Sequence, residues 1–246
     1  MEHTTVAVIP ARFASTRLPG KPLLRDTGKF LIQHVVEQVQ RASRIDAIVV
    51  ATDDTRIADA VASFGGTAMM TATTHASGTD RVAEVIRART DATLVVNVQG
   101  DEPDISPAAL DALVERMERD HTVEMGTLAT LLPASRRFDD PNAVKVVCDL
   151  AGRALYFSRA PIPHPRADGT AVGPLLHLGV YAWRRDALLR LASLPRTPLE
   201  QCESLEQLRA LEHGMRIAVV QVAESGSGID TPEDYARFVA QHGNPL

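Results

Sequence analysis

The sequence has few of the features that mark several common classes of protein. Only two cysteines, Cys148 and Cys202, occur among 246 residues, too few for a disulfide framework or a structural zinc site. We therefore expect a reducing, cytoplasmic setting. No apolar run approaches the ~18 residues that span a bilayer, and the first residues lack the basic segment and apolar stretch of a secretory signal. Membrane insertion is not expected.

Basic residues are not in excess either. The chain carries 26 Lys and Arg against 31 Asp and Glu, a net charge of −5 at pH 7. Proteins that bind nucleic acid generally, or membrane surfaces, are usually basic, so neither class of partner is expected. Hydrophobic residues make up 45% and charged residues 23%, which is ordinary for a globular chain. A chain of this size buries roughly 70% of its unfolded surface, so we predict a single domain over residues 1–246.

The first two-thirds of the chain alternates β-branched runs with amphipathic stretches. Each run predicts a buried parallel strand, because a strand covered on both faces is continuously apolar. Each stretch predicts a helix, because its apolar residues recur at helical spacing. This alternation is typical of an α/β fold, and we predict a mostly parallel sheet with helices on both faces. The predicted strands are 6–9, 45–51, 68–70 and 94–98, and the predicted helices are 31–43, 54–64 and 79–88.

After residue 125 the segments become strand-like and closely spaced. We predict a small antiparallel extension around residues 125–183, added to the main sheet. A segment rich in Pro, Gly and charge, 161–174, is predicted to be a loop. The predicted strands here are 125–132, 143–149, 154–158, 176–183 and 217–222, with a hairpin connection at 149–152 and helices at 199–212 and 232–241.

Positive charge gathers in the loop after the first predicted strand. No Asp or Glu occurs between His3 and Arg25, whereas Arg12, Arg17 and Lys21 lie in that interval. Ligands of open α/β sheets bind outside the carboxyl ends of the strands, where this loop is expected. Arginine offers a planar fork of donors and lysine a mobile point charge, which suits a polyphosphate. From spacing alone, a solvated basic loop is an equally good interpretation.

Two common nucleotide-binding motifs are missing. Gly20-Lys21 is followed by Pro22 and lacks the upstream glycine of a P-loop. The G-x-G-x-x-G fingerprint of dinucleotide-binding proteins is also absent, which argues against a dehydrogenase.

Acidic residues follow the fourth predicted strand. Three carboxylates stand at 101, 102 and 104, and Mg²⁺ typically takes one or two protein carboxylates together with water and phosphate oxygens. Asp101 is the stronger metal candidate, whereas Asp104 is better interpreted as a turn residue. Asp230 is a second candidate. Because Thr231 and Asp234 already form a good helix cap, Asp230 is left to point elsewhere.

Several polar residues have two interpretations. Ser77-Gly78 can bring backbone close to a ligand or simply begin a helix. His177, among apolar strand residues, is more often a hydrogen-bonded core histidine than a functional one. Gln207 fits a capping box with the serine three residues before it, and Glu206 suits a solvated helix face.

Taken together, these segments resemble one enzyme family over nearly the whole chain. The family is 3-deoxy-manno-octulosonate (Kdo) cytidylyltransferase, also called CMP-Kdo synthetase. Other sugar-activating nucleotidyltransferases share the first motif, and the joint presence of the others is far more specific. The matching motifs are IPARFASTRLPGKPL (9–23), HASGTDR (75–81), VNVQGDEP (96–103), PNAVKVV (141–147), ALYFSRA (154–160), HLGVY (177–181), LEQLR (205–209) and DTPED (230–234).

The resemblance implies an enzyme with the fold of nucleotide-diphospho-sugar transferases. Its reaction would convert CTP and Kdo to CMP-Kdo and diphosphate for lipopolysaccharide synthesis, with Mg²⁺ as cofactor. It also implies a homodimer, with the antiparallel extension forming the dimer contact and part of a closing lid. By the resemblance, the catalytic residues are Arg12, Lys21 and Asp101. The metal ligands are Asp101 and Asp230. The residues that bind the nucleotide are Arg12, Arg17, Lys21, Ser77, Gly78 and Gln99. The sugar-acid pocket falls on Arg159, His177, Tyr181, Glu206 and Gln207, with Arg159 meeting the sugar carboxylate.

Two alternatives stay open at this point. One is another sugar-acid nucleotidyltransferase of the same architecture, similar to CMP-sialic acid synthetase. The other is a non-catalytic module that binds CTP without metal-dependent turnover. The presence of both candidate metal carboxylates and both phosphate-binding cations argues against that module.

Overall fold

The computed structural model describes residues 4–14, 17–75, 77–166, 173–223, 226 and 228–243. By its internal packing the chain divides into two compact units. The first unit combines Met1–Asp111 with Ser225–Leu246, and the second unit is Ala112–Glu224. In chain order the elements are β1 (Thr5–Ala11), α1 (Leu31–Gln40), β2 (Ala47–Thr52), α2 (Thr55–Ser63), β3 (Ala68–Met70), α3 (Gly78–Ala88), β4 (Leu94–Asn97), α4 (Pro107–Arg119), β5 (Met125–Leu131), β6 (Lys145–Cys148), β7 (Ala154–Ser158), β8 (Leu175–Arg184), α5 (Arg185–Ser193), α6 (Pro198–Glu203), α7 (Gln207–Glu212), β9 (Ile217–Gln221) and α8 (Pro232–His242).

The first unit is built on four parallel strands in the order β3-β2-β1-β4. Residues 6–9 of β1 are fully buried, as expected for a central strand whose two faces are covered. Since all four strands run the same way, their carboxyl ends meet at one edge of the sheet. That edge receives the loop after β1, the segment after β4 and the start of α3.

Side-chain caps explain where several helices of this unit begin. The side chain of Asp54 accepts a hydrogen bond from the backbone of Arg56 at the start of α2. Ser77 and Thr231 form capping boxes at the start of α3 and α8, which satisfy the free N–H groups of the first turn. The capping box predicted for Thr231 with Asp234 is confirmed.

The second unit holds a mixed sheet. β5 lies between β8, to which it is antiparallel, and β9, to which it is parallel. β6 pairs antiparallel with both β7 and β8. The predicted α/β class, with parallel strands first and antiparallel strands later, is confirmed. The hairpin connection after β6 is confirmed as well, because the backbone N–H of Asp149 donates to Arg153 across a turn in which Gly152 has a φ of +72°.

One predicted helix is wrong. Residues 199–212 were expected to form a single helix, but α6 ends at Glu203 and α7 begins at Gln207. Ser204 between them has left-handed backbone, with φ 51° and ψ 49°, and caps α6. The apolar stripe continues across the break because Leu205 and Leu208 are both buried. The proposed capping box of Gln207 is also wrong, since the residue that caps α7 is Glu206.

Other differences concern element boundaries. Helix α5 was not predicted, and predicted strand 143–149 shortens to β6. Segment 161–174 holds no helix or strand at 161–166 and 173–174, and its residues 167–172 lie outside those the structure describes. No helix among the described residues is both long enough and apolar enough to cross a bilayer. The single domain expected for 1–246 stays a prediction.

A buried ion pair joins α6 to α7. Arg209 donates to both carboxylate oxygens of Glu200, at 2.8 Å from Nε and 2.5 Å from Nη2. The two side chains are only 8% and 3% exposed. Burial alone would raise the pKa of Glu200, but hydrogen bonds from Arg209, the Thr197 backbone and Arg196 together outweigh it and hold the pKa below its ordinary value.

Arg209→Leu should therefore lower the free energy of unfolding by about 3 kcal/mol, because it removes the buried cation of Glu200. The carboxylate then keeps only the exposed Arg196, whose Nε lies 3.2 Å from Oε1, among its described ion-pair partners. Chemical denaturation at pH 7 measures the change. Arg137→Leu is the matched control. Arg137 makes the same two-bond contact with Asp139, but these side chains are 83% and 58% exposed, so the loss should stay under about 1 kcal/mol. Equal losses in the two variants would contradict the prediction.

Candidate active site

A cavity of about 410 Å³ opens at the carboxyl ends of β1 and β4 in the first unit. Its walls come from four separate parts of the chain: the end of β1 and the loop after it, the start of α3, the segment after β4, and the segment before α8. It is lined by Pro10, Ala11, Arg12, Ala14, Arg17, Lys21, Pro22, Gly78, Gln99, Gly100, Asp101 and Asp230.

Lys21 is the central charge of the cavity. Its Nζ lies 2.6 Å from Oδ2 of Asp101 and 3.4 Å from Oδ1 of Asp230, and it donates to the carbonyl of Ile229 at 2.7 Å. Its side chain is only 13% exposed. Arg17 adds a second cation, with Nη2 3.1 Å from the same oxygen of Asp230. The structure thus brings both candidate metal carboxylates to one ammonium group.

The loop that carries these cations is closed at its base by Phe13 and Gly20. The N–H of Gly20 donates to the carbonyl of Phe13 at 3.2 Å. Gly20 has a φ of +66°, and a Cβ there would lie 3.2 Å from the Phe13 ring, so glycine suits both the conformation and the space. The guanidinium of Arg56 stacks on the same ring, 3.4 Å from its centre. Within the loop, residues 15 and 16 lie outside those the structure describes.

Apolar packing places Asp230. The preceding residue, Ile229, belongs to a buried cluster with Leu31, Tyr235 and Phe238. Its N–H also donates to the carbonyl of Asp101 at 2.9 Å. The C-terminal segment is therefore held beside the end of β4, which explains how an aspartate so distant in sequence reaches the cavity.

The three carboxylates after β4 have different environments. Burial and the negative charge of Asp101 raise the pKa of Glu102 to about 8, so Glu102 is mostly protonated at neutral pH. Asp104 is outside the cavity lining, and its Oδ1 lies 3.0 Å from Nε2 of His242. Asp101 is therefore the carboxylate of this group that faces the cavity.

Backbone approach shapes the remaining wall. A Cβ on Gly100 would lie 2.9 Å from the carbonyl of Pro10, so a larger residue would push the end of β1 from the end of β4. Gly78 and Gln99 line the cavity, and Arg12 donates to the carbonyl of His75 at 3.1 Å. Ser77 is not among the lining residues, and its hydroxyl is engaged with Asp80 in the cap of α3.

A second group of candidate residues lies in the second unit, and we call it the His177 cluster: His177, Tyr181 and Gln207. The rings of His177 and Tyr181 are 5.5 Å apart, and the Tyr181 hydroxyl donates to Oε1 of Gln207 at 3.2 Å. Gln207 is only 4% exposed, and its Nε2 has no hydrogen-bond partner among the described residues. A buried donor without a partner is unfavourable, so this amide suits a ligand oxygen.

The hydrogen bonds of Thr127 define the protonation of His177. The Thr127 hydroxyl lies 2.8 Å from the carbonyl of Val180 and 3.0 Å from Nε2 of His177. Because the hydroxyl gives its one proton to a carbonyl, Nε2 must be the donor to Thr127, which leaves Nδ1 as an acceptor. Burial lowers the pKa of His177 to about 3, so the ring is neutral at physiological pH.

Arg159 and Glu206 are held by their own contacts. Arg159 donates from Nε to the carbonyl of Glu203 at 2.6 Å, from Nη1 to that of Pro141 at 2.8 Å, and from Nη2 to that of Ser204 at 3.3 Å. A guanidinium carries five N–H donors, so these three bonds leave capacity for a ligand. Glu206 lies 3.6 Å from Nη2 of Arg209 at the start of α7.

Comparison with known proteins now identifies the family. The family model described as Cytidylyltransferase matches residues 6–217. The 3-deoxy-manno-octulosonate cytidylyltransferase of Syntrophotalea carbinolica is 54% identical over 242 residues, covering 95% of this chain and 96% of that protein. The enzyme of the same name from Geobacter metallireducens is 48% identical over 243 residues, covering 95% of each chain. This chain belongs to the 3-deoxy-manno-octulosonate cytidylyltransferase family.

A solved structure supports the same family assignment. The structure of CMP:2-keto-3-deoxy-manno-octonic acid synthetase complexed with CTP matches with a TM-score of 0.92 at 44% identity, covering 97% of this chain and 98% of that one. The family resemblance inferred from the sequence motifs is confirmed.

The donor set of the cytidylyltransferase cavity fits a magnesium ion. In the described part of the chain, no group of three or more His, Cys, Asp and Glu side chains is arranged to hold a metal. Asp101 and Asp230 are nevertheless both within 3.4 Å of one nitrogen atom. Two carboxylates suit Mg²⁺, which completes its shell with water and phosphate oxygens.

Sequence reasoning missed Glu203 in this member of the family. Its carboxylate accepts hydrogen bonds from the Ser158 hydroxyl and the Arg159 backbone, both at 2.7 Å. Glu203 thereby joins the end of β7 to the turn before α7. No local signal marks it, because a glutamate in a helix is usually solvated, and its partners lie about 45 residues earlier in the chain.

The low pKa of His177 predicts a pH-dependent stability. The unfolded chain binds a proton at this histidine near pH 6.5, whereas the folded chain resists protonation down to about pH 3. Between these values the unfolded state holds more protons, so stability falls as the pH drops, by about 1.4 kcal/mol per pH unit. His177→Gln should lose that contribution. When the pH drops from 7 to 5, the free energy of unfolding of wild type should therefore fall by about 2 kcal/mol more than that of His177→Gln.

Urea denaturation at the two pH values measures the difference. Tyr181→Phe, which keeps the histidine, is the control and should follow wild type. The same pH dependence in all three proteins would show that His177 is not protonated selectively in the unfolded state.

Proposed function

We propose that this protein transfers CMP from CTP to Kdo, giving CMP-Kdo and diphosphate for lipopolysaccharide synthesis. The observation that carries the proposal is the cavity in which Arg12, Arg17 and Lys21 meet Asp101 and Asp230. Cations beside two carboxylates are suited to a metal-bound triphosphate. Membership of the family, and the solved relative in complex with CTP, support the same reaction.

The proposed nucleotide half is the cavity of the first unit. Lys21 and Arg12 would bind the triphosphate, with Arg17 as a further cation. These side chains would place positive charge where the diphosphate leaving group develops negative charge, which would lower the barrier with no covalent role for the protein. Gln99 and the backbone at Ser77 and Gly78 would contact the cytidine.

Asp101 and Asp230 would hold Mg²⁺ in this proposal. The ion would neutralise phosphate charge and make the α-phosphorus more electrophilic. Lys21 now satisfies both carboxylates, so in the loaded enzyme its ammonium would be shared with phosphate oxygens.

The proposed sugar-acid half is the His177 cluster with Arg159 and Glu206. Arg159 would bind the sugar carboxylate through its remaining N–H donors, since a guanidinium matches a carboxylate in shape. Nδ1 of His177 would accept, and Nε2 of Gln207 would donate, a hydrogen bond with sugar hydroxyls. The anomeric hydroxyl would then attack the α-phosphorus in line as diphosphate leaves.

We also propose a cytoplasmic homodimer. Large exposed apolar side chains of the second unit support a contact between copies: Leu131 and Leu155 are 63% and 61% exposed, and Leu150 is fully exposed. All three belong to the predicted extension around 125–183. A monomeric mass in sedimentation equilibrium would contradict the dimer.

A substrate panel tests the reaction. Diphosphate release should be fastest with CTP and Kdo when CTP, UTP, ATP and GTP are each paired with Kdo and with sialic acid. The closest alternative, activation of another sugar acid, predicts turnover with a different pair and none with CTP and Kdo. CTP binding without turnover for any pair would favour a non-catalytic module.

Asp101→Asn tests the metal role. Losing one carboxylate should weaken the response to Mg²⁺ and cut turnover by at least about a hundredfold, because the transition-state charge is then poorly neutralised. Titrating Mg²⁺ at saturating CTP and Kdo measures both effects. Asp91→Asn is the control: Asp91 pairs with Arg89 at an exposed position and should keep wild-type kinetics. Near-normal turnover by Asp101→Asn would exclude Asp101 from metal binding.

A further inference from the structure

Lys145 is a fully buried cation outside the cavity of the first unit and outside the His177 cluster. The chain contains three lysines, at 21, 29 and 145, against 23 arginines. Lys21 faces the cavity and Lys29 pairs with Glu37 at the surface. Lys145 is 0% exposed, and long charged side chains are almost never fully buried without a specific reason.

The partners of Lys145 are backbone carbonyls. Its Nζ donates to the carbonyl of Arg159 at 2.6 Å and to that of Asp140 at 2.9 Å. Because an ammonium group can only donate hydrogen bonds, two carbonyl oxygens are suitable partners for it. Among the described residues no carboxylate forms an ion pair with it. The carboxylates of Asp140 and Glu203 act on it at longer range, and the cation of Arg159 opposes them.

The sheet register places Lys145 next to two residues of the proposed sugar-acid site. It stands on β6 opposite Ser158 of β7 on one side and Leu176 of β8 on the other. The residues that follow these, Arg159 and His177, therefore lie one register position away, next to Lys145 along the backbone and with side-chain positions that alternate to the other face of the sheet. The N–H of His177 donates to the carbonyl just before Lys145, at 2.8 Å.

We propose that Lys145 is a positioning residue for the sugar acid, holding the backbone of Arg159 and adding a buried positive charge beside the sugar carboxylate. The inference rests on the proposed function, in which Arg159 binds that carboxylate. By holding the Arg159 carbonyl, the Lys145 ammonium fixes the backbone from which the Arg159 side chain extends. Its charge is buried, so solvent and salt screen it far less than a surface charge.

The residue type supports this role. Arginine, which the chain uses at almost every other basic position, is a wide planar fork. A compact ammonium can bond two carbonyls that converge at one point without filling the space of a guanidinium. Desolvation lowers the pKa of Lys145, which is the cost of keeping a cation there, so a purely structural tie between two loops would be served more simply by a neutral side chain.

Lys145→Met tests the proposal, because methionine keeps the length of the side chain and removes the charge and the donors. The KM for Kdo should rise about tenfold or more, the effect of one lost charge interaction of modest size, while the KM for CTP stays within about twofold. Lys29→Met is the matched control and should leave both KM values unchanged. Thermal denaturation of each variant checks folding.

A second measurement uses wild-type enzyme in case Lys145→Met does not fold. With three lysines, the ¹⁵N spectrum of labelled lysine ammonium groups holds at most three signals. Lys29→Met identifies one of them, and the response to CTP identifies Lys21. The remaining signal should shift when Kdo is added, whereas that of Lys29 should not.

The outcomes distinguish a failure of this inference from a failure of the proposed function on which it rests. Suppose that the wild-type enzyme turns over CTP and Kdo. If Lys145→Met then has an unchanged KM for Kdo, or if its KM values for Kdo and CTP rise equally, the role of Lys145 is overturned and the proposed function stays in place. A Lys145 signal that does not respond to Kdo would overturn it as well. No turnover by wild-type enzyme would remove the proposed function and this inference with it.

Discussion

The ammonium of Lys21 joins carboxylates that lie 80 and 209 residues further along the chain. Two aspartates close together repel each other, so a cation must accompany them, and Lys21 provides it in a place where only 13% of its side chain is exposed. The rest of the first unit serves this contact. β1 presents the loop of Lys21, β4 ends just before Asp101, and the apolar packing of Ile229 brings Asp230 to the same point.

The His177 cluster depends on a different physical principle. Its three residues are neutral, and they and the neighbouring Arg159 are oriented by hydrogen bonds with carbonyl, amide and hydroxyl groups. Thr127 orients the ring of His177, and three carbonyl groups orient Arg159. A sugar is recognised through many hydroxyl groups, so direction matters more than charge. The cations outside the cluster, Arg159 and the buried Lys145, suit the single carboxylate of a sugar acid.

Sequence patterns of neighbouring residues predicted the caps and turns that depend on those residues alone. The cap at Thr231 follows from neighbouring residues, and so does the hairpin that ends at Gly152. The break at Ser204 could not be predicted in this way, because a left-handed serine carries no glycine signal and the apolar stripe runs through it. Helix α5 was missed as well. The cations of the loop after β1 were identified from composition. Composition could not decide whether the loop binds a ligand or is only solvated, and the position of Asp230 beside these cations favours binding.

The sequence by itself determined the α/β class, the family and the residue types needed for the chemistry, because periodicity and motifs are properties of neighbouring residues. Only the tertiary structure decided which carboxylates share a cation, which nitrogen of His177 is protonated, and that Lys145 is buried against Arg159. These properties depend on distance and desolvation between residues far apart in the chain, and no local pattern encodes either quantity.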